Sequence, residues 1–447
     1  MNRRHLLMTA TVLGAAALSG QAFAQKRRKP NFIIVMCDDL GYGDISCLGG
    51  SIPTPNIDRM AREGVTLSNY YSPANLCTPS RAGLLTGRYP VRTGLGYGVI
   101  MQNDDRGLPL QEKTIADALE NYATGLFGKW HLGHVAPYWP PTKHGFDTFF
   151  GIPYSHDMEP LALYTADAAT GMVTSGPADL STLQQQFYQH AEAFIDANKD
   201  KPFFLELALS APHLPERPST AFKGKSVHGG YGDVVQEIDS IVGRLFAKLK
   251  SAGIDDDTLV VFTSDNGAWF EGSSGHLRDR KGGGGFDGGS HVPCFVRYPK
   301  SIMPGKTVAS IACGIDWLPT FCAMAGQALP QGVVLDGLDI TEVLTTGAAS
   351  PHDQIVLFDN EDVIAIRTQK FKYVHNGYWR GGMMNYDKMG YDELYDMVND
   401  PSESYSVSET YPDIVSDMHK RYEAATALFA PFKHPGKPPY DGGIRKD

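Results

Sequence analysis

Residues 32–39 read Phe-Ile-Ile-Val-Met-Cys-Asp-Asp, an apolar run that ends in two acidic residues. Continuous apolar runs of this length are typical of strands that are buried on both faces of a parallel sheet. Similar runs occur at residues 203–209, 259–262 and 292–296, and segments with helical spacing separate them. This alternation predicts an α/β domain with a mostly parallel central sheet and helices on both faces.

Helical spacing is clearest at residues 234–250, where apolar side chains recur at steps of three and four residues. Residues 111–121 and 183–197 are further predicted helices that precede strands. Each would cross from one strand of the sheet to the next, as a parallel sheet requires.

The pattern changes after residue 347. Short strand-like runs then follow one another closely, at residues 355–358, 363–367 and 371–374. This spacing is typical of an antiparallel meander, and a predicted helix follows at residues 413–429. We therefore expect a main domain at residues 25–347 and a small C-terminal α+β domain with its tail at residues 348–447.

The first residues have the composition of an export signal. Arg3 and Arg4 precede an apolar run at residues 6–18, and Ala22-Phe23-Ala24 forms a cleavage site of small residues. The run is too short to span a bilayer, and the paired arginines resemble a twin-arginine signal. We expect residues 1–24 to be removed and the mature protein to be periplasmic or secreted, without a membrane span.

Charge and cysteine content limit the classes of partner. The chain has a net charge of −10. Residues 1–24 contain Arg3 and Arg4 and no acidic residue, so their removal changes the net charge to −12. No basic stripe is present that could neutralise phosphates, which argues against a nucleic-acid partner. The spacing of the six cysteines matches no zinc or redox motif, although export would allow some of them to pair.

Two acidic pairs follow predicted strands. Asp38 and Asp39 come after the first strand, and Asp265 and Asn266 come after the strand at residues 259–262. Ligands gather at the carboxyl ends of the strands in a parallel sheet, so the two pairs can converge. Their oxygen atoms suit a hard divalent cation such as Ca²⁺ or Mg²⁺. The alternative is that each Asp only forms a turn or caps a helix.

Residues 77–88 read Cys-Thr-Pro-Ser-Arg-Ala-Gly-Leu-Leu-Thr-Gly-Arg. A lone cysteine is most often a small buried apolar residue. Here, however, Arg81 and Arg88 would be costly to bury near Cys77 without an anionic partner. The segment therefore favours an anionic ligand close to Cys77.

Three further segments contain candidate acid, base and anion-binding residues. They read Gly-Lys-Trp-His-Leu-Gly at 128–133, Ala-Pro-His-Leu-Pro at 211–215 and Leu-Arg-Asp-Arg-Lys-Gly at 277–282. With residues 77–88 and the acidic pairs, they resemble the motifs of type I sulfatases, particularly arylsulfatase A-like enzymes. That family belongs to the alkaline phosphatase superfamily, and the resemblance extends from about residue 31 to residue 398.

The resemblance implies a modified residue and a metal ion. A formylglycine-generating enzyme would oxidise Cys77 to formylglycine, and the hydrate of that aldehyde would attack the sulfur of a sulfate ester. A single Ca²⁺, with Mg²⁺ as the alternative, would be held by oxygen atoms of five residues: Asp38, Asp39, Asp265, Asn266 and the modified Cys77. Three crowded carboxylates would raise one another's pKa without such a cation.

The resemblance also implies roles for the basic residues. Arg81, Lys129 and Lys281 would hold the sulfate as a cationic clamp. His213 would protonate the leaving alcohol, and His131 would remove a proton from the second hydroxyl of the hydrate so that inorganic sulfate leaves. Alternation along an extended segment would place Lys129 and His131 on the same side.

Two segments leave alternatives open. The region of Lys281 departs from the family pattern. It has one extra residue in the glycine run at 282–286, and it has Asp287 and His291 where Glu and Arg are usual. Arg280 is therefore an alternative to Lys281. The glycine run could be a flexible rim or a linker. Ser155, in a segment close to one of arylsulfatase A-like enzymes, would contact the sulfate or only bond its own backbone.

The function predicted from these motifs is hydrolysis of a sulfate monoester of a small molecule or an oligosaccharide. One alternative is a phosphonate monoester or phosphodiester hydrolase of the same superfamily. Another is a catalytically silent carbohydrate-binding protein. The alcohol part of the substrate is not identified, although a rim of aromatic residues could stack on a sugar: Trp139, Trp269, Phe270, Tyr378 and Trp379.

Overall fold

The structure of the protein, a computed structural model, describes residues 29–375, 378–379, 384–385 and 392–435. The predicted export signal at residues 1–24 lies outside these residues, as do the side chains of Tyr378 and Trp379. Within the described ranges, no helix has both the length and the apolar character needed to cross a membrane.

Strands of the described residues form one large sheet and three smaller ones. In chain order they are β1 (Asn31–Asp38), β2 (Val65–Leu67), β3 (Tyr70–Tyr71), β4 (Ala123–Lys129), β5 (Thr148–Ile152), β6 (Ala162–Asp167), β7 (Val173–Pro177), β8 (Phe203–Pro212), β9 (Thr258–Ser264), β10 (Cys294–Arg297), β11 (Lys306–Val308), β12 (Ala312–Cys313), β13 (Ile355–Asp359), β14 (Asp362–Arg367), β15 (Phe371–Val374), β16 (Tyr378–Trp379), β17 (Met384–Asn385) and β18 (Glu393–Asp396). The large sheet has ten strands in the order β11-β2-β10-β9-β1-β8-β4-β5-β6-β7.

The centre of this sheet is parallel, as predicted. β1 pairs in parallel with β9 on one side and β8 on the other, and β4 continues the parallel arrangement from β8 to β5. The prediction of a parallel strand at 292–296 is wrong, because β10 is antiparallel to β9. Cys294 at the start of β10 pairs with Thr263 near the end of β9. The chain leaves β9 at the carboxyl edge and returns into the sheet from that same edge.

Helices cover both faces of the sheet. In chain order they are α1 (Pro55–Glu63), α2 (Cys77–Thr86), α3 (Ile115–Ala118), α4 (Leu183–Asn198), α5 (Gly229–Ser251), α6 (Asp287–Ser290), α7 (Trp317–Ala325), α8 (Thr341–Thr346) and α9 (Pro412–Phe429). The predicted helices at 183–197 and 234–250 are confirmed as α4 and α5. The predicted helix at 111–121 is wrong in length, because α3 ends at Ala118 and Asn121 takes a positive φ of 64° so that the chain can enter β4 at Ala123.

The alternation of side chains on β1 explains why both faces need helices. Phe32, Ile34 and Met36 join one buried cluster, which includes side chains of α2 and α7. Ile33 and Val35 join the opposite cluster, which includes side chains of α1, α4 and α5. Because successive side chains of a strand point to opposite faces, an unbroken apolar run is stable only between two layers.

The C-terminal part contains the predicted antiparallel meander. Its sheet has the order β13-β14-β15-β18, all neighbours are antiparallel, and α9 packs on β14 and β15. A buried cluster of apolar side chains lies between this sheet, α9 and the main domain. The domain boundary between residues 347 and 348 stays a prediction.

A buried ionic cluster connects the C-terminal sheet to the main sheet. Lys372 on β15 is fully buried, and its Nζ lies 2.7 Å from Asp287 Oδ1 at the start of α6 and 2.7 Å from Glu403 Oε1. Glu403 in turn accepts a hydrogen bond from the backbone N–H of Asp287 at 2.8 Å. Removal of the ammonium would leave Glu403 without this cation and Asp287 with His291 Nδ1 at 3.0 Å and the more distant Arg367 as its remaining basic partners, which is costly for buried carboxylates.

We expect the substitution Lys372→Met to lower the free energy of unfolding by about 3–5 kcal/mol, the typical cost of breaking a buried ionic pair from one side. The matched control is Lys370→Met, because Lys370 is two residues away and more than half exposed, 3.7 Å from Asp396. That control should stay within about 0.5 kcal/mol of the wild type. Urea unfolding measures both, and equal losses would contradict a structural role for the buried cluster.

Candidate active site

Four segments place their functional side chains at the carboxyl edge of the large sheet. β1 ends at Asp38, and Asp265 directly follows β9, the parallel neighbour of β1. β4 ends at Lys129, and α2 begins at Cys77. The carboxyl ends of parallel strands meet at one edge, so residues far apart in the chain form one buried cluster.

Three carboxylates and one amide form the candidate metal site. Asp38, Asp39, Asp265 and Asn266 are all at most 3% exposed. The Nδ2 of Asn266 donates to Asp39 Oδ1 at 2.8 Å, whereas Asn266 Oδ1 is buried and has no hydrogen-bond partner. An unpartnered buried oxygen beside three carboxylates fits a hard divalent cation. The side chains of this site whose ligand atoms lie within 4.8 Å of one another are Asp38, Asp39, Cys77 and His213, and the predicted ligand Asp265 is not in this set.

The carboxylates are paired with buried cations from other segments. Lys129 Nζ lies 2.5 Å from Asp38 Oδ2, and neither side chain is exposed. Arg81 Nε donates to Asp265 Oδ2 at 2.9 Å, and Lys281 Nζ lies 2.7 Å from Asp39 Oδ1. The three cations thus converge on the metal site, as a clamp for an anion would require.

The close approach of Lys129 to Asp38 depends on the glycine that precedes it. Gly128 on β4 has a φ of 132°, and a Cβ atom at this position would lie 1.8 Å from the carbonyl oxygen of Ala208 on β8. Only glycine combines this backbone conformation with such close strand packing. The end of β4 is therefore held against β8, with Lys129 at the edge of the sheet beside Asp38.

Arg88 has a different partner from the one that the sequence suggested. Its Nη1 donates to both oxygens of Glu112, at 2.6 and 2.7 Å. An anionic ligand is therefore not needed to explain the burial of Arg88. Arg81, Lys129 and Lys281 are likewise paired with carboxylates, so the burial of these cations does not by itself require an anionic ligand.

Cys77 lies at the centre of the cluster. Its Sγ is 3.4 Å from Asp38 Oδ1 and 3.3 Å from Lys281 Nζ, and the residue is 1% exposed at the N-terminus of α2. Burial raises the pKa of the Cys77 thiol, although Lys129 and Lys281 oppose the shift. The thiol is therefore neutral at physiological pH and is not a thiolate nucleophile. The helix N-terminus nevertheless favours an anion beside residue 77.

The pKa values of the carboxylates reflect their crowding. Burial opposes ionisation of Asp38, but Lys129, His213 and Arg81 hold the pKa of Asp38 well below its usual range. Burial and the neighbouring Asp38 instead raise the pKa of Asp265 to about 6. A divalent cation between these groups would favour the ionised form of both carboxylates.

His131 is buried next to the cationic cluster. Its Nε2 lies 2.9 Å from the carbonyl oxygen of Ile100, so this nitrogen carries the proton, and its Nδ1 has no partner. Burial, Lys129 and Arg81 lower the pKa of His131 well below its usual value, so the ring is neutral. The argument from alternation is wrong here, because His131 has a φ of 60° and the extended segment ends at Lys129.

His213 lies on the more open side of the site. Its Nδ1 bonds the carbonyl oxygen of Leu214 at 2.7 Å, and its Nε2 is 3.6 Å from Asp39 Oδ2. His156 packs edge to face against His213 with ring centroids 5.6 Å apart. Ser155, next to His156, is 2% exposed, and its Oγ has no hydrogen-bond partner. The alternative that Ser155 bonds its own backbone is therefore wrong.

The glycine run positions Lys281. Gly282 N–H donates to the carbonyl oxygen of Asn75 at 3.1 Å, and Gly283 is buried in a turn where a Cβ atom would lie 2.6 Å from the carbonyl oxygen of Arg280. The run is thus a packed turn and not a linker. Arg280 bonds the carbonyl oxygens of Trp269 and Gly272 instead of the carboxylates.

Two contacts of the site were missed by the sequence reasoning. The Ile100 carbonyl selects the tautomer of His131, and Thr78 Oγ both accepts from Ile100 N–H and donates to the His131 carbonyl oxygen, each at 3.0 Å. A hydrogen bond to a backbone carbonyl or N–H does not depend on the side chain of the partner, so the residue type gives no indication of it. The position of Thr78 inside the 77–88 motif was the one available hint.

The mostly parallel sheet, with buried cations and carboxylates at its carboxyl edge, has the arrangement of hydrolases of anionic esters with the alkaline phosphatase-like fold. The family model described as sulfatase matches residues 30–327, and one described as the C-terminal part of N-sulphoglucosamine sulphohydrolase matches residues 286–427. The chain therefore belongs to the sulfatase family and is a sulfuric ester hydrolase.

Relatives with known names agree with this assignment. Human arylsulfatase A is 36% identical over 85% of this chain and 83% of its own length. N-acetylgalactosamine-6-sulfatase of the dog is 34% identical over 81% of this chain and 74% of its own. The crystal structure of the PsFucS1 sulfatase from Pseudoalteromonas sp. superposes with a TM-score of 0.82 at 28% identity, covering 92% of both chains.

Proposed function

We propose that the protein hydrolyses sulfate monoesters of sugars or aryl alcohols through a formylglycine made from Cys77 and a bound Ca²⁺, with Mg²⁺ as the alternative. The observation that carries this proposal is the position of Cys77. Its Sγ lies within 3.4 Å of both Asp38 Oδ1 and Lys281 Nζ, at a helix N-terminus. A neutral thiol there cannot serve as the nucleophile, whereas an oxygen at the same place would face both the carboxylates and the clamp.

The proposed groups supply the part of the chemistry that encoded side chains lack. A hydrated formylglycine offers one hydroxyl as nucleophile and a second one to expel sulfate, and a divalent cation polarises the sulfate oxygens. The oxygen atoms of Asp38, Asp39, Asp265 and Asn266 would hold that cation. The unpartnered Oδ1 of Asn266 supports this ligand set.

The basic residues bind and orient the sulfate group in this proposal. Lys129 and Arg81 are fully buried, so their charges act at low dielectric and are held in place before the substrate arrives. Lys281 is 10% exposed at its side chain and would reach the bridging oxygen from the open side. Ser155 Oγ would donate a further hydrogen bond to the sulfate.

The two histidines would handle protons at opposite sides of residue 77. His213 Nδ1–H is held by the Leu214 carbonyl, which leaves Nε2 to carry a proton to the departing alcohol oxygen. His131 has a neutral ring and a bare Nδ1, so this nitrogen would accept a proton as the sulfate leaves. Asp265, kept ionised by the cation, would take the first proton from residue 77.

Maturation and export complete the proposal. A formylglycine-generating enzyme would act on Cys77 before folding, because the residue is 1% exposed in the folded protein. A twin-arginine signal at residues 1–24 would then export the chain to the periplasm or the medium.

The substitution Cys77→Ser tests the nucleophile. We expect multiple turnover of 4-nitrophenyl sulfate to fall by at least about 10³-fold, with the melting temperature unchanged. Cys47→Ser is the matched control, since Cys47 is exposed. Mass spectrometry of the wild type should show the aldehyde at residue 77. Normal turnover by Cys77→Ser would refute the mechanism. If the wild type hydrolyses an aryl phosphonate faster than an aryl sulfate, the phosphonate hydrolase is favoured. If residue 77 of the wild type is an unmodified thiol and the protein shows no turnover, the carbohydrate-binding protein is favoured.

His213→Gln tests the proton donor. We expect kcat to fall by about 10²–10⁴-fold with a sugar sulfate, whose alkoxide is a poor leaving group, and by far less with 4-nitrophenyl sulfate. His190→Gln, an exposed substitution on α4, should not change either rate. An equal loss with both substrates would show that His213 is not the proton donor.

Two exposed aromatic residues form the best candidate platform for the alcohol part of the substrate. Trp269 is 40% exposed, Phe270 is 63% exposed, and their rings meet edge to face at 4.8 Å. The ring of Trp269 lies 6.0 Å from Lys281 Nζ, which places the pair beside the clamp. Trp139, in contrast, packs against Phe149 and Tyr164 at the core and does not form a rim.

We expect Trp269→Ala to raise KM for an aryl or sugar sulfate by about two- to tenfold, because a stacked ring contributes about 0.5–1.5 kcal/mol to binding. The value of kcat should change little, and Trp269→Phe should restore most of the affinity. Tyr405→Ala is the control, since Tyr405 is 78% exposed in a loop that follows β18. An unchanged KM in Trp269→Ala would remove Trp269 from the substrate site.

A further inference from the structure

A second group of metal-ligating side chains lies on the C-terminal sheet. Apart from the active-site group, the described residues contain one other such set, His375, Asp392 and His419. His375 directly follows β15 and Asp392 directly precedes β18, and these strands pair so that Val374 faces Glu393. His419 lies on α9, which packs on β15. Three separate elements therefore present their side chains at one place.

The ligand atoms of this group already converge. Each of the three residues offers an atom within 4.8 Å of the other two. His375 Nδ1 is 2.6 Å from Asp392 Oδ1. The hydroxyl of Tyr373 is 3.0 Å from His375 Nδ1 and 2.8 Å from His419 Nδ1, so both rings turn the same nitrogen towards this hydroxyl, which an ion bound to both nitrogens would displace.

The outer contact of His419 supports a ligand role. Its other nitrogen, Nε2, lies 3.5 Å from Glu423 Oε1, one helical turn further along α9. A histidine that binds a metal usually donates its second N–H to a carboxylate or carbonyl, which sets the tautomer and leaves the first nitrogen bare. Glu423 is the carboxylate that could take this position for His419, at the outer limit of hydrogen-bond distance.

We infer that His375, Asp392 and His419 form a second metal site, which binds Zn²⁺ or a similar borderline first-row cation. Two imidazole nitrogens and one carboxylate suit Zn²⁺, with water in the fourth position. Ca²⁺ prefers six to eight oxygen ligands and does not match this set. The side chains of the three residues are 15%, 29% and 38% exposed, so an ion can reach them.

Such an ion would stabilise the C-terminal sheet. It would connect β15, β18 and α9, which otherwise meet here through hydrogen bonds and ring contacts of Tyr373 and Tyr422. An ion that binds the folded chain and not the unfolded chain raises the melting temperature, by an amount that grows with the logarithm of the ion concentration once this exceeds the Kd. The predicted effect of Zn²⁺ is therefore on stability, and it is separate from turnover at Cys77.

The test is a Zn²⁺ titration of the purified mature protein with its active site saturated by Ca²⁺. We expect one equivalent of Zn²⁺ to bind in competition with a chromogenic chelator, and a rise in melting temperature of about 3 °C at saturation. His419→Gln and Asp392→Asn should each lose this equivalent and the rise. His228→Gln, an exposed histidine at the start of α5, is the matched control and should keep both.

Two outcomes would overturn the inference. No bound Zn²⁺ in the wild type would mean that the cluster is only a hydrogen-bonded network. An equal stoichiometry in the wild type, His419→Gln and Asp392→Asn would place the Zn²⁺ elsewhere, for example at the active-site carboxylates. The melting temperatures of the variants without Zn²⁺ show whether each substitution folds normally, and an anomalous signal at the zinc edge locates the ion.

Discussion

The neutralisation of buried carboxylates at the ends of β1 and β9 is the constraint on which the site and much of the fold depend. Three carboxylates, those of Asp38, Asp39 and Asp265, are buried in one cluster almost without solvent, an arrangement that is unfavourable unless cations surround it. Lys129, Arg81 and Lys281 supply those charges from three distant segments of the chain. The loops at this edge must therefore close on the strand ends for the protein to be stable.

The same constraint accounts for the poor reactivity of the encoded cysteine. Cys77 is buried and its Sγ contacts Asp38, so the thiol stays neutral despite two nearby lysines. A site that binds an anion with buried cations is well prepared for a sulfate group but lacks a nucleophile. For this reason, the proposed function depends on a modification of residue 77 and not on the thiol itself.

Much of the site could be predicted because its motifs lie where strands end. Asp38 and Asp265 meet as expected, since parallel neighbours finish at the same edge. The prediction failed where the backbone leaves regular structure. His131 has a positive φ, so the period of a strand did not apply to it, and the glycine run before Phe286 is a packed turn although its composition suggested a linker.

The amino-acid sequence was enough to establish the class of the fold, the family and the residue types at the site, because apolar periodicity and short motifs are local properties. Only the tertiary structure decided which cation pairs with which carboxylate, that Glu112 and not a ligand satisfies Arg88, and that β10 runs antiparallel. It also brought His375, Asp392 and His419 together. The reason is physical, since ion pairs and ligand sets depend on distances between segments, and sequence separation carries no information about those distances.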